Sequence, residues 1–319
     1  LHKIKFGQPI KVDFGPKWHA NKQGTPTMGG ILFIVGSVVG TAAGYALFRF
    51  LGTLDATTIA GDREALRVMS CVIFCILFGV IGFIDDFAKV AKKQNEGLKP
   101  MQKIVLQVVA AVLWLAAMYW FGDRSTVIDL SFVKFDISFF YYPLMILVIL
   151  YLTNAVNLTD GVDGLCGTVT LVAMLIFTLI CSKLQMETYT LFTMALAGGC
   201  LGFLVWNLHP AKCFMGDTGS MYLGAAVTAV GLATHKHLVL LLVALVYILE
   251  ALSVMIQVTY FKYTKKKYGE GRRIFKMTPI HHHFEMSGFS EYKIVLTFSL
   301  FGLIVGLCSF CLLYTSPSP

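Results

Sequence analysis

The sequence predicts an all-α polytopic membrane bundle, and three observations predict it. Of 319 residues, 56% are apolar and only 14% are charged, a composition foreign to soluble domains. The apolar residues gather into nine runs, near 29–50, 67–84, 104–121, 141–158, 165–181, 188–206, 218–235, 238–260 and 294–314. Each run is close to the ~20 residues that carry a helix across a bilayer core. The runs lack the alternation of a membrane barrel, and backbone groups in lipid must be satisfied within their own segment, so helices are the remaining architecture.

The basic residues set the expected orientation, because cytoplasmic loops retain Lys and Arg. One side carries Lys3 to Lys22, Lys89 to Lys103, Lys212, and the stretch from Lys262 to Lys293, in total 19 of the 26 cations. The other side keeps Arg49, Arg63, Arg67, Arg124, Lys134, Lys183 and Lys236, mixed with acids. The first side is therefore predicted to face the cytosol. With no internal repeat or low-complexity tract, residues 1–319 read as a single transmembrane domain. The chain begins at Leu1 in a basic segment that reads as a loop already under way.

Taken in chain order, the polar groups at the run ends carry the chemistry. Thr25-Pro-Thr27-Met-Gly-Gly30 opens the first run. Thr27 reads as an N-cap, and the glycine pair suits either close helix packing or a phosphate at the helix N-terminus. Asp85-Asp86 closes the second run, with Lys89 one turn on. Carboxylates at a helix C-terminus oppose the macrodipole, which calls for a partner from elsewhere. Between the third and fourth runs, 125–140 reads as an external hairpin, with Val127, Ile128, Phe135 and Ile137 among polar residues.

The fourth run leads into Asn154, Asn157, Asp160 and Asp163, an amide or carboxylate at every third position that is expected to stay near one face for two turns, with Gly161 and Gly164 allowing a close ligand approach. Asn207 and Phe214-Met-Gly-Asp217-Thr-Gly-Ser220 link the sixth and seventh runs. Here Asp217 is expected to cap the seventh helix, while Asn207 and an exposed Phe214 suit a metal or a stacked base. The basic segment 261–293 allows a short amphipathic helix on anionic headgroups, and within it lies Pro279-Ile-His281-His282-His283-Phe-Glu285. Glu250, alone in the middle of the eighth run, must face protein or a groove rather than lipid; it is expected to be paired or protonated near a channel for a lipid.

These groups suit phosphate chemistry at a membrane surface: carboxylates for a hard cation such as Mg²⁺ or Mn²⁺, helix N-termini and cations for phosphate oxygens, and histidines for proton or phosphate contact. No P-loop, G-x-G-x-x-G or H-E-x-x-H is present, and no nucleic acid partner is expected. The eight cysteines have neither disulfide nor zinc spacing; Cys308-x-x-Cys311 lies in an apolar run and reads as packing.

The motifs from Thr25, Phe83, Asn154, Phe214 and Pro279 closely resemble those of the phospho-N-acetylmuramoyl-pentapeptide transferase family. The aspartate motifs alone are similar to the wider polyprenyl-phosphate N-acetylhexosamine-1-phosphate transferase superfamily, and the His281 to Glu285 segment points to the muramoyl-pentapeptide branch. The resemblance implies ten spans, one of them ahead of Leu1, and a homodimer in the bacterial inner membrane with its site toward the cytosol. It implies transfer of phospho-N-acetylmuramoyl-pentapeptide from UDP-N-acetylmuramoyl-pentapeptide to undecaprenyl phosphate, giving lipid I and UMP, with Mg²⁺ as cofactor. By the same resemblance Asp217 is the Mg²⁺ ligand, Asp85 and Asp86 the catalytic pair, and His281 and His282 face the diphosphate. Asn154, Asp160 and Phe214 would hold the uridine, and Lys22, Thr27, Lys89, Asn157, Asp163 and Asn207 are further site candidates. The competing readings are a sibling using UDP-N-acetylglucosamine and, more distantly, a transporter, which would want ionisable groups along a path through the midplane.

Overall fold

The computed structural model describes residues 24–52, 59–91 and 97–315. It contains α1 (Gly30–Phe50), α2 (Ile59–Ala91), α3 (Pro100–Trp120), β1 (Val127–Asp129), β2 (Lys134–Asp136), α4 (Tyr141–Thr159), α5 (Leu165–Lys183), α6 (Glu187–Asn207), α7 (Gly216–Ala233), α8 (His237–Val243), α9 (Leu245–Tyr268), α10 (Ile280–Glu285) and α11 (Glu291–Thr315). The chain is thus an all-α bundle. The hairpin forms as expected: β1 and β2 pair antiparallel with Ile128 opposite Phe135.

Two of the nine expected spans differ from their runs. Among the described residues, eight helices are long and apolar enough to cross a membrane, and α7 is not one of them. The reason is its position. Every residue of α7 from Thr218 to Ala233 is buried, so helices rather than lipid surround it, and small residues serve better than large apolar ones. The run at 238–260 is interrupted at Ala244, which separates α8 from α9 although no proline or glycine marks the break.

The close approach of α7 to its neighbours depends on glycines. A Cβ on Gly82 of α2 would stand 2.1 Å from the carbonyl oxygen of Asp217, and one on Gly30 of α1 would stand 2.4 Å from Cα of Gly219. The glycine pair at the start of α1 therefore serves packing. Its N–H groups are already taken: Gly29 N–H donates to the Phe214 carbonyl at 2.8 Å and Gly30 N–H to that of Met215 at 3.1 Å. Gly29 is the N-cap residue, so Thr27 does not cap α1 as expected; its side chain is buried beside Gly216 instead.

Around α7 the packing is aromatic and aliphatic, with Phe74 stacked on Trp114 at 4.7 Å and paired polar groups such as Ser37 and Tyr222 at 2.9 Å. The outward faces remain apolar, for example Leu32, Val35 and Val39 on α1, as lipid requires. In the segment 261–293, α9 runs on to Tyr268, and the short helix that follows, α10, buries His281 and His282 in the bundle. The expected amphipathic helix on the headgroups is therefore not what this segment builds.

Gly82→Ala is expected to force α2 and α7 apart and cost about 1–3 kcal/mol, the usual range for overpacking. Gly36→Ala, which points into open space, is expected to leave stability unchanged or slightly higher. Thermal unfolding of both variants in one detergent checks the contrast.

Candidate active site

The end of α2 meets the start of α7, and this junction brings three carboxylates together. Oxygens of Asp85, Asp86 and Asp217 lie within 4.8 Å of one another. Asp86 supplies the cap that α7 needs: its Oδ1 accepts the Asp217 N–H at 3.2 Å, and its Oδ2 accepts the Thr218 N–H at 2.9 Å and the Thr218 hydroxyl at 2.8 Å. Asp217 is therefore not the cap of its own helix, and the N–H groups expected to be open to an anion are already filled. Four backbone donors are orphaned at any helix start, and a carboxylate there is favourable.

With its own backbone held, Asp217 turns its side chain into a ring of donors. Lys89 Nζ reaches Oδ2 at 3.0 Å and Lys103 Nζ reaches it at 2.9 Å, while Asn157 Nδ2 donates to Oδ1 at 2.9 Å and to Ser220 Oγ at 2.8 Å. Lys89 also pairs with Asp85 at 2.6 Å, and the other Asp85 oxygen accepts the Leu98 N–H at 2.7 Å. Three acids and two lysines leave one formal negative charge, on oxygens alone. That donor set fits a hard divalent cation better than zinc.

The row from Asn154 to Asp163 does not stay on one face. Helix α4 ends at Thr159, and the chain turns at Asp160, so only Asn157 reaches the carboxylate cluster. One turn deeper, Asn154 donates to Gln107 on α3 at 2.9 Å. Asp163 enters a second cluster, where its Oδ2 faces His209 Nδ1 at 3.1 Å and the Ala211 N–H at 3.0 Å, and Glu291 lies 3.3 Å from the same imidazole. Asn207 is buried and holds the loop, accepting from Gly164 N–H at 3.2 Å and donating to the Cys213 carbonyl at 2.9 Å; it lies outside the carboxylate cluster. Phe214 is partly buried rather than exposed, because its backbone is pinned between Pro26 and Gly29. Lys22 lies outside the described residues.

His281 reaches the same end of the bundle. Its ring rests against Gly161, where a Cβ would stand 2.3 Å from Nε2, and its Nδ1 faces Glu250 Oε2 at 3.0 Å. The mid-span carboxylate is thus paired, though with a histidine of the site. His282 pairs with Glu285 at 2.5 Å. Beside them an apolar groove of about 390 Å³ opens between α9, α10 and α11, with Leu249, Leu252, Ile280, Phe284 and Phe301 among its walls.

Lys103, His209 and Glu291 were not among the expected site residues, whereas the Thr218 and Ser220 hydroxyls were expected as donors to an anion and bind Asp86 and Asn157 instead. For Lys103 a signal existed: it lies in the first turn of α3, where a cation opposes the dipole.

The fold and this site define a polytopic membrane enzyme whose carboxylates and lysines crowd one end of the bundle, and the sequence model of Glycosyl transferase family 4 matches residues 68–235, just over half of the chain. A signature of phospho-N-acetylmuramoyl-pentapeptide-transferase matches residues 22–34. The phospho-N-acetylmuramoyl-pentapeptide-transferase of Listeria welshimeri is 40% identical over 313 residues, covering 98% of this chain and 90% of its own length. That of Carboxydothermus hydrogenoformans is 43% identical over 318 residues, covering 97% and 90%. That of Acetivibrio thermocellus is 43% identical over 303 residues, covering 93% and 84%. The chain belongs to the phospho-N-acetylmuramoyl-pentapeptide-transferase family.

Burial, and then the nearby charges of Asp217, Asp86 and Asp163, push the Asp160 carboxyl up to about 8. An unfolded aspartate titrates near 3.9, so between about pH 4 and pH 8 the folded chain holds a proton that the unfolded chain has released. Stability from this group therefore falls as pH rises across that window. Asp160→Asn removes the dependence. The melting temperature of the variant relative to the native chain is expected to climb steadily from pH 5 to pH 8 in detergent, and a constant difference would refute the assignment.

Proposed function

We propose that the chain transfers phospho-N-acetylmuramoyl-pentapeptide from UDP to undecaprenyl phosphate, releasing UMP and forming lipid I for peptidoglycan synthesis. The observation that carries this reading is the Asp85, Asp86, Asp217 cluster with Lys89 and Lys103, in a membrane bundle that also opens an apolar groove beside its histidine segment. A reaction between a polar diphosphate and a lipid phosphate needs that juxtaposition. The family membership of the chain supports the choice of donor.

In this reading an oxygen of the lipid phosphate forms a bond to the sugar-bearing phosphorus of the donor, and the bond from that phosphorus to UMP breaks. One phosphoanhydride replaces another, so the protein's task is alignment of two polyanions and neutralisation of charge. Asp217 is the proposed Mg²⁺ ligand, with an Asp85 oxygen within reach; when bound, the cation supplies positive charge at the phosphoryl oxygens. Lys89 and Lys103 exchange their contacts on Asp217 for phosphate oxygens. Asp85 is the proposed base of the pair, because its Oδ2 is held by Lys89, which this reading turns to phosphate, whereas both Asp86 oxygens are held by the backbone of α7. Asp86 then acts as a positioning residue.

Phe214 offers a ring for uracil, and Asn154 and Asp160 polar contacts to the uridine. Thr27, whose buried Oγ1 has no partner among the described residues, lies beside Asp86 and offers a hydroxyl to a phosphate. Asn157 steadies Asp217, Asp163 and Asn207 fix the loops around the nucleotide, and His281 and His282 face the diphosphate. The isoprenoid tail follows the groove between α9 and α11, whose lining is almost wholly apolar. The reading extends to the bacterial cytoplasmic membrane, with the site facing the cytosol on the distribution of cations, and, on the family resemblance, to a homodimer.

The test is UMP release by the purified chain with undecaprenyl phosphate and Mg²⁺, offered UDP-N-acetylmuramoyl-pentapeptide or UDP-N-acetylglucosamine. Release from the muramoyl donor alone is expected, and release from the glucosamine donor alone would move the chain to the sibling activity. Asp217→Asn is expected to lower release at least about a hundredfold, and Lys103→Ala about tenfold or more, in line with loss of a charged group from a phosphoryl-transfer site. Activity of Asp217→Asn near the native level would overturn the metal assignment.

A further inference from the structure

The mechanism above uses His281 but leaves its partner without a task. Glu250 and His281 are both wholly buried, and Glu250 Oε2 lies 3.0 Å from His281 Nδ1. The other imidazole nitrogen, Nε2, is buried without a partner among the described residues and is directed at Gly161, the residue after Asp160. The second Glu250 oxygen is likewise buried and unpaired. A carboxylate that holds one ring nitrogen decides which nitrogen the ring presents to anything else. Deep inside a membrane span, such an acid is kept only where it serves a purpose.

We propose that Glu250 is a positioning residue for the transfer reaction, acting through His281. The carboxylate accepts Nδ1–H, which fixes the orientation of the ring and its tautomer, so the ring can meet a ligand through Nε2 alone. An oxygen of the donor's diphosphate at the Asp160–Gly161 turn is met by Nε2–H of the imidazolium form, whose charge Glu250 balances. Gly161 is part of the arrangement, because a side chain there would occupy the position of Nε2. The other titratable groups near the ring have different duties: His282, whose ring centroid is 4.2 Å away, is engaged by Glu285, and Asp163 by His209. This inference rests on the transferase reading for the identity of the diphosphate, but the pairing itself does not.

The experiment compares Glu250→Gln, Glu250→Asp, His281→Gln and the double variant Glu250→Gln, His281→Gln with the native chain, in kcat and in KM for both substrates, with melting temperatures taken alongside. Glu250→Gln is expected to lower kcat about tenfold to a hundredfold while moving either KM by no more than about threefold. Glu250→Asp, which keeps the charge, is expected to recover part of that loss. In the His281→Gln background, Glu250→Gln is expected to add less than about a twofold further loss, because a residue acting through His281 has nothing left to act on. Multiplicative losses, or native kcat in Glu250→Gln, would overturn the proposal. If Glu250→Gln fails to fold, Glu250→Asp carries the comparison: alone it is expected to lower kcat, and equal kcat in His281→Gln and in a doubly substituted Glu250→Asp, His281→Gln chain is the expected sign of coupling. Nitrogen NMR of ¹⁵N-histidine-labelled protein, assigned with His281→Gln, separates this idea from the transferase reading: the neutral His281 ring is expected as the Nδ1–H tautomer whether or not any donor releases UMP. An Nε2–H tautomer would overturn the dyad even in a fully active enzyme.

Discussion

The site depends on one contact, the capture of the N-terminus of α7 by Asp86 at the end of α2. Asp86 lies just ahead of the last turn of α2, which runs on to Ala91, and its carboxylate answers the positive end of the next helix. Because Asp86 binds the backbone of Asp217 and Thr218, it sets the position of the Asp217 side chain as well. Lys89, one turn beyond, then lies within reach of all three acids. Gly82 makes the meeting possible, since any side chain there would strike the Asp217 carbonyl. Helix packing, capping and the charge of the site are consequences of one geometry.

The sequence carried much of this. Apolar run lengths foretold the helices, and the awkward placement of two aspartates at a helix C-terminus foretold that a partner from elsewhere must answer them. It did not say which partner, since that depends on how α2 and α7 cross. Spacing was a poorer guide around Asn154, where a three-residue repeat suggested a common face. The helix ends at Thr159, so Asn157 and Asp163 point to different clusters. Glu250 was legible as a buried acid needing a partner, but its pairing with His281 joins residues 31 apart in the chain through a helix whose docking no local pattern announces. The break at Ala244 has no local signal at all.

The second cluster gives the loops at this end of the bundle a frame of their own. Asp163, His209 and Glu291 tie together the turn after α4, the loop after α6 and the first turn of α11, and the Tyr292 hydroxyl adds a bond to the His209 carbonyl. Asn207 draws the same loop against Gly164. The loops beside the carboxylate cluster and the histidine segment are thus tied to their neighbouring helices, a rigidity that alignment of two large anions would use.

Helix α7 is enclosed by its neighbours along almost its whole length. A bilayer that thickens, thins or changes its lipids acts on a protein through the helices it touches, by tilting or stretching them. In this molecule that strain falls first on the outer ring, such as α1 with its exposed apolar face, while the central helix that carries Asp217 is screened from it. An enzyme whose acceptor dissolves in the membrane thereby keeps its charged centre indifferent to the membrane's own changes.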